Sequence, residues 1–107
     1  MNLLFVCTKN QLRSLTAEQI FKNRQGYLVR SAGTASDARR KITGADINWA
    51  DVIFVMEKKH KEILQYRFPT QLSSKQLFCL DILDEYQFMD EELIRIIEES
   101  VACYFIK

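Results

Sequence analysis

Breakers are scarce in this 107-residue chain, which has one proline and three glycines. No linker, low-complexity segment or internal repeat is visible. No apolar run approaches the ~20 residues that a membrane span needs. The apolar start, Leu3-Leu4-Phe5-Val6, has no basic residue before it and only four apolar residues before Cys7, too little of either for a secretion signal. The three cysteines, Cys7, Cys79 and Cys103, lie far apart without a C-x-x-C pair, and an odd total cannot close completely into disulfides. A reducing compartment, the cytoplasm, is therefore expected. Those thiols and the lone His60 form no recognisable ligand set, so neither a metal nor a cofactor is expected. A formal charge of +1 gives no global pull toward nucleic acid or membrane, and any anion site must be local. No Walker loop, G-x-G-x-x-G or serine-nucleophile motif is present.

The chain has the length of a single domain, residues 1–107. A chain of that size buries ~60–70% of its unfolded surface. Asn2 to Cys7 reads as a first strand. From Ser14, Leu15, Ala17, Ile20 and Phe21 fall near helical spacing until Gln25-Gly26. Tyr27-Leu28-Val29 begins a second strand that ends at Ser31-Ala32-Gly33. Thr34 to Asn48 reads as a loop with at most one or two helical turns, Arg39 and Arg40 as a solvated basic face, and Trp49 as a helix-end side chain packing on the core. Asp51 to Met56 is apolar and β-branched, as a strand buried on both faces should be. Lys58 to Phe68 has helical spacing and is stopped by Pro69, with His60 in a surface or packing role. Gln76 to Ile82 is a fourth strand and Leu83 to Phe88 a loop. A last helix starts near Asp90, with Leu93, Ile94, Ile97 and Val101 as its core stripe and Phe105 as an extension. Strand and helix alternate, which predicts a three-layer, flavodoxin-like α/β domain: a four-stranded parallel sheet, order 2-1-3-4, with helices on both faces. The topological switch point then lies between strands one and three, where the loop after strand one opens into a crevice.

That loop is the chemical centre. Thr8, Lys9, Asn10, Gln11 and Leu12 run from the strand that ends in Cys7 to the helix that opens at Arg13 and Ser14. Such a loop gathers backbone N–H groups around one point and adds the positive end of a helix, a cradle for a phosphate-like anion. The same dipoles favour a thiolate at Cys7. Arg13 offers a planar fork for two phosphate oxygens, and Ser14 can donate its hydroxyl to the sulfur. Lys9 adds positive charge, and Asn10 suits a left-handed turn residue. Spacing alone is weak, since a Cys with Arg six residues on arises by chance about once in twenty. The position after the first strand and the Ser after the Arg narrow it. A thiolate there can attack a phosphomonoester and give a cysteinyl-phosphate. The leaving oxygen needs a proton, for which the loop after strand four offers Asp81 and Asp84.

These residues resemble the low-molecular-weight protein tyrosine phosphatases, whose loop is usually C-x-G-N-x-C-R-S after the first strand. Cys7, Asn10, Arg13 and Ser14 match, whereas Lys9 stands for the usual Gly and Leu12 for the usual second Cys. Ala17-Glu18, Ser31-Ala32-Gly33-Thr34, Ala50-Asp51, Met56 and Asp84-Glu85-Tyr86, where the family has Asp-Pro-Tyr, extend the resemblance over most of the chain. The 35–50 region is shorter than the family's, a trimmed version. The resemblance implies Cys7 as nucleophile, Arg13 as anion clamp, Asp84 rather than Asp81 as general acid, and Tyr86 stacking on an aromatic substrate. It implies a phosphorylated protein or a small phosphomonoester as substrate. Two other readings stand beside it. One is an arsenate reductase, which would need Cys79 and Cys103 close to Cys7; the other is a non-catalytic phosphate-binding module.

Overall fold

The computed structural model describes residues 1–105; the last two residues of the predicted 1–107 domain lie outside the described residues. The elements follow the chain as β1 (Asn2–Cys7), α1 (Arg13–Phe21), β2 (Leu28–Gly33), α2 (Gly44–Trp49), β3 (Val52–Val55), α3 (Lys58–Arg67), α4 (Pro69–Leu72), β4 (Gln76–Cys79) and α5 (Glu91–Phe105). All three strand pairs are parallel, in the order β2-β1-β3-β4. This is the order predicted from the alternation of strand and helix.

Successive side chains of a strand point to opposite faces, and β1 uses both. Leu3, Phe5 and Cys7 join Val52, Phe54 and Met56 under α1 and α5, where Ala17, Phe21, Leu93, Ile97 and Val101 complete one cluster. Leu4 and Val6 join Ile53 and Val55 on the other face, under Ile47 of α2 and Leu64 of α3. The first cluster is aromatic. Phe5 stacks on Phe21 and Phe54 with ring centroids 5.6 and 5.3 Å apart, and Phe105 packs on Phe54 and Tyr27, so the stripe of α5 does extend that far. No helix of the described residues is long and apolar enough to cross a membrane.

Three features differ from expectation. Pro69 does not merely stop α3; it opens α4, because the first position of a helix needs no N–H bond and accepts the fixed proline φ. The fourth strand stops at Cys79, since Asp81 takes a left-handed backbone (φ 55°) that turns the chain off the pleat, although Leu80 and Ile82 still bond to the Val55 and Met56 carbonyls. Ile94 is only half-buried on α5, whose stripe is Leu93, Ile97 and Val101. In the 34–48 region, α2 is a single short helix capped reciprocally by Thr43 and Asp46. Asp46 is buried. Burial alone would raise its carboxyl, but Arg40 at 2.5 Å and the Thr43 N–H outweigh it and hold it below the usual range. Trp49 packs against the core with the Arg30 guanidinium 4.2 Å from its ring centroid, as a helix-end aromatic should.

Gly33 ends β2 where the chain after Cys7 passes close by. A Cβ at this position would lie 2.5 Å from the Thr8 carbonyl oxygen and 2.6 Å from the Ala38 Cβ, a backbone approach that excludes any side chain. Gly33→Ala is therefore expected to destabilise the protein by about 1–3 kcal/mol. In thermal melts that is a fall of roughly 4–8 °C per kcal/mol for a domain of this size. An unchanged melting temperature would contradict the close approach.

Candidate active site

The loop between β1 and α1 is held from outside by the segment that follows β2. Thr34 N–H donates to the Cys7 carbonyl, Ala35 N–H to that of Thr8 and Arg39 N–H to that of Lys9, at 2.9, 3.0 and 2.9 Å. The Asn10 carbonyl accepts from Arg39 Nε at 3.1 Å. Four successive carbonyls thus face away from the loop's interior, which leaves their amides to face inward. Among the described residues the amides of Thr8, Lys9, Gln11 and Leu12 make no hydrogen bond within the protein. Leu12, at the N-cap of α1, provides no side-chain cap, so the first amides of that helix also stay open.

Cys7 is buried at the bottom of this ring. Its sulfur lies 2.9 Å from Ser14 Oγ and accepts the Asn10 N–H at 3.3 Å. Asn10 is fully buried with φ 57°, the left-handed turn residue expected at mid-loop, and its Nδ2 donates to Ser14 Oγ at 2.8 Å. Arg13, 2% exposed, donates through Nη1 to Glu57 at 2.5 Å and to the Ile82 carbonyl at 2.7 Å. Its Nε lies 3.7 Å from Asp84. A pocket of about 110 Å³ opens over the sulfur, lined by Cys7, Lys9, Gln11, Leu12, Arg13 and Asp84. One thiol, one guanidinium and one exposed carboxylate thus share a single cavity.

The other predicted site residues are placed as follows. Lys9 lines the pocket but is paired with Asp37 at 2.5 Å, which holds that carboxyl below its usual range. The Thr8 hydroxyl turns away from the pocket to His60 Nε2 at 2.8 Å, and Asn10 and Ser14 support the sulfur from below. Asp81 does not line the pocket and accepts from Cys79 Sγ at 3.3 Å. Tyr86 does not line it either; it is half-buried and packs against the α1/α5 cluster. The arsenate-reductase reading needs three thiols in one place. Cys79 instead packs on the opposite face of the sheet from Cys7, and Cys103 is exposed on α5.

Glu57, His60 and Arg39 belong to the site's support, which sequence spacing does not single out. Glu57 follows the end of β3, the strand across the switch point from Cys7, and an acid at that strand end was the available signal. Its hydrogen bond from Arg13 holds it below the usual carboxylate range against the opposing effect of burial. The helix start of α3 is reciprocal: the His60 N–H donates to the Glu57 carbonyl at 3.0 Å, and His60 Nδ1 accepts from the Glu57 N–H at 3.0 Å. With Nδ1 an acceptor, the ring is neutral and its Nε2–H donates to Thr8. The histidine has a packing role, as expected, but beneath the loop rather than at the surface. Arg39 is exposed and Arg40 half-buried, as a basic face would have them, but each also reaches inward, Arg39 to Asn10 and Arg40 to Asp46.

Burial above all, and then the Arg13 charge, push the imidazole of His60 down from 6.5 to about 4. The unfolded chain therefore takes up a proton near pH 6.5 that the folded chain refuses until about pH 4. Stability should be full above that window and fall as pH drops through it, by about 3 kcal/mol in all. Melts at stepped pH should show this slope in the wild type and a flatter one in His60→Gln; equal slopes would contradict it.

The model of the low molecular weight phosphotyrosine protein phosphatase family matches residues 2–43, the stretch from β1 to the end of the supporting segment. No curated protein matches the sequence. Among solved structures, a YwlE mutant from Bacillus subtilis is 26% identical with a TM-score of 0.77, over 100% of this chain and 99% of that one. The YwlE arginine phosphatase from Geobacillus stearothermophilus is 25% identical with a TM-score of 0.76, over 97% and 92%. A protein tyrosine phosphatase from Entamoeba histolytica is 25% identical with a TM-score of 0.77, over 100% and 94%. The loop signature and the whole-chain likeness agree: over its first 43 residues the chain is similar to the low molecular weight phosphotyrosine protein phosphatase family, and over its whole length to solved phosphatases of that fold.

Proposed function

We propose that the protein hydrolyses phosphomonoesters of the phosphotyrosine type through a cysteinyl-phosphate. The observation that carries this is the sulfur of Cys7 at the floor of a ring of inward amides, beside Ser14 and under Arg13. The amides of residues 8–12 and the Arg13 fork would hold the three phosphate oxygens, and their charge would fall on the equatorial oxygens as the transition state forms. The Cys7 thiolate forms the S–P bond as the bond from phosphorus to the ester oxygen breaks. Asp84, at the pocket mouth, gives that oxygen its proton. In the second step a water attacks phosphorus and passes a proton to the Asp84 carboxylate, the S–P bond breaks, and phosphate leaves with the thiolate restored. Glu57 contributes by fixing Arg13 before substrate arrives.

A phosphorylated guanidinium is a second reading of the substrate. One observation favours it: among the described residues no aromatic side chain lines the pocket, and Tyr86 packs on the core. A relative of similar fold is described as an arginine phosphatase, and the same nucleophile and clamp serve a P–N bond. The cytoplasm remains the compartment that three unpaired thiols suit best.

Phosphate release should be followed with an aryl phosphate and with phosphoarginine in parallel. Cys7→Ser is expected to abolish turnover on whichever is the substrate. Asp84→Asn should lower kcat by about 10²–10⁴-fold with little change in KM, as loss of a general acid does. Wild-type protein that binds phosphate yet turns over neither compound would make the chain a binding module.

A further inference from the structure

Arg39 lies outside the loop, on an exposed segment, yet it makes three bonds to it. Its backbone N–H donates to the Lys9 carbonyl at 2.9 Å, its Nε to the Asn10 carbonyl at 3.1 Å and its Nη2 to Asn10 Oδ1 at 2.8 Å. A guanidinium can only donate, so the atom of the Asn10 side chain that faces it must be the oxygen. The Asn10 amide orientation is thereby fixed, and Nδ2 must face Ser14 Oγ, where it donates at 2.8 Å. The Ser14 oxygen now accepts from Asn10, so its single hydroxyl proton is free to point at Cys7 Sγ, 2.9 Å away. The direction of every bond in the chain follows from the one group that cannot accept.

We infer that Arg39 is a positioning residue that orders a one-way relay, Arg39 to Asn10 to Ser14 to Cys7, and so sustains the nucleophilic thiolate from outside the pocket. A row of hydrogen bonds that all run the same way is polarised along its length, and here a positive charge stands at its donor end. Arg39 also holds the left-handed backbone of Asn10, which places the Asn10 N–H on the sulfur at 3.3 Å. Without the clamp, the Asn10 amide can rotate and Ser14 can donate to Oδ1 instead of to sulfur. The other charged or titratable groups around Cys7 are Arg13, Lys9 and Asp84 in the pocket wall, Glu57 behind Arg13, and His60 behind Thr8. None of these bonds to Asn10 or Ser14, so the relay can be perturbed without touching them.

The inference rests on the phosphatase reading for one of its two readouts. The first readout is independent of substrate: alkylation of the Cys7 peptide by iodoacetamide at fixed pH, followed by mass spectrometry, which tracks thiolate reactivity. The second is kcat and KM for an aryl phosphate. Arg39→Ala is expected to slow Cys7 alkylation and lower kcat by about tenfold each, with KM nearly unchanged, as for loss of a charge-assisted hydrogen bond. Arg39→Lys, which keeps the charge but not the fork, should fall between. If Arg39→Ala does not fold, Arg39→Lys carries the same test. Wild-type alkylation rates in both variants, even with a lowered melting temperature, would reduce Arg39 to a structural prop and overturn the relay. Wild-type protein without turnover but with slowed alkylation in Arg39→Ala would instead refute the phosphatase reading and leave the relay standing.

Discussion

The outward turn of four successive carbonyls, Cys7 to Asn10, is the constraint on which the rest of the site depends. Each is bonded to a donor in residues 34–39, and a peptide whose carbonyl is committed to one side presents its N–H to the other. The inward ring of amides, the proposed anion cradle, is thus shaped by the segment after β2 as much as by the loop itself. That explains why Gly33 can carry no side chain, and why most backbone bonds of residues 34–42 go to the loop and to Gly33, with one isolated bridge from Gly33 to Lys41. The fold supplies the position. Parallel strands bring the ends of β1 and β3 side by side, so Cys7 and Glu57 emerge at one crevice and Arg13 spans the gap between them.

Buried polar groups under the loop are all partnered among the described residues. Asn10, Arg13, Ser14 and His60 are each nearly or wholly inaccessible, and each makes a bond to another member of the site or its support. An unpaired donor or acceptor at such a position costs more than a made bond contributes, so these networks specify one arrangement rather than adding much stability. The loop therefore holds its amides aimed inward in the free protein, and in the proposed reaction little reorganisation would be left for the chemical step.

Periodicity and spacing carried most of the fold. The β1 boundaries, the parallel order and the stripe of α5 follow from patterns of two and of about four residues, which depend on the local chain and on one buried face. The grouping of the loop's side chains was legible for the same reason: Cys7, Asn10, Arg13 and Ser14 lie within eight residues of one another. Contacts between distant segments were not legible. Arg39 looks like any surface arginine until the fold brings it to Asn10, and His60 like any helix residue until Thr8 is found above it. Tyr86 shows the converse, since its place two residues after Asp84 suggested a cleft wall, while the path of the loop turns its ring to the core. Asp81 ended the fourth strand early because a left-handed residue leaves no mark on hydropathy.

The central claim is that the amides from Thr8 to Ser14 form a preset cradle for a phosphate-like anion above Cys7. The most direct measurement is a titration of isotope-labelled protein with inorganic phosphate, followed through its amide and Arg13 side-chain NMR signals. Saturable shifts concentrated in residues 8–14 and at Arg13 Nε are expected, with the supporting amides of Thr34, Ala35 and Arg39 little moved. Shifts that are absent, that do not saturate, or that centre on another part of the surface would contradict it.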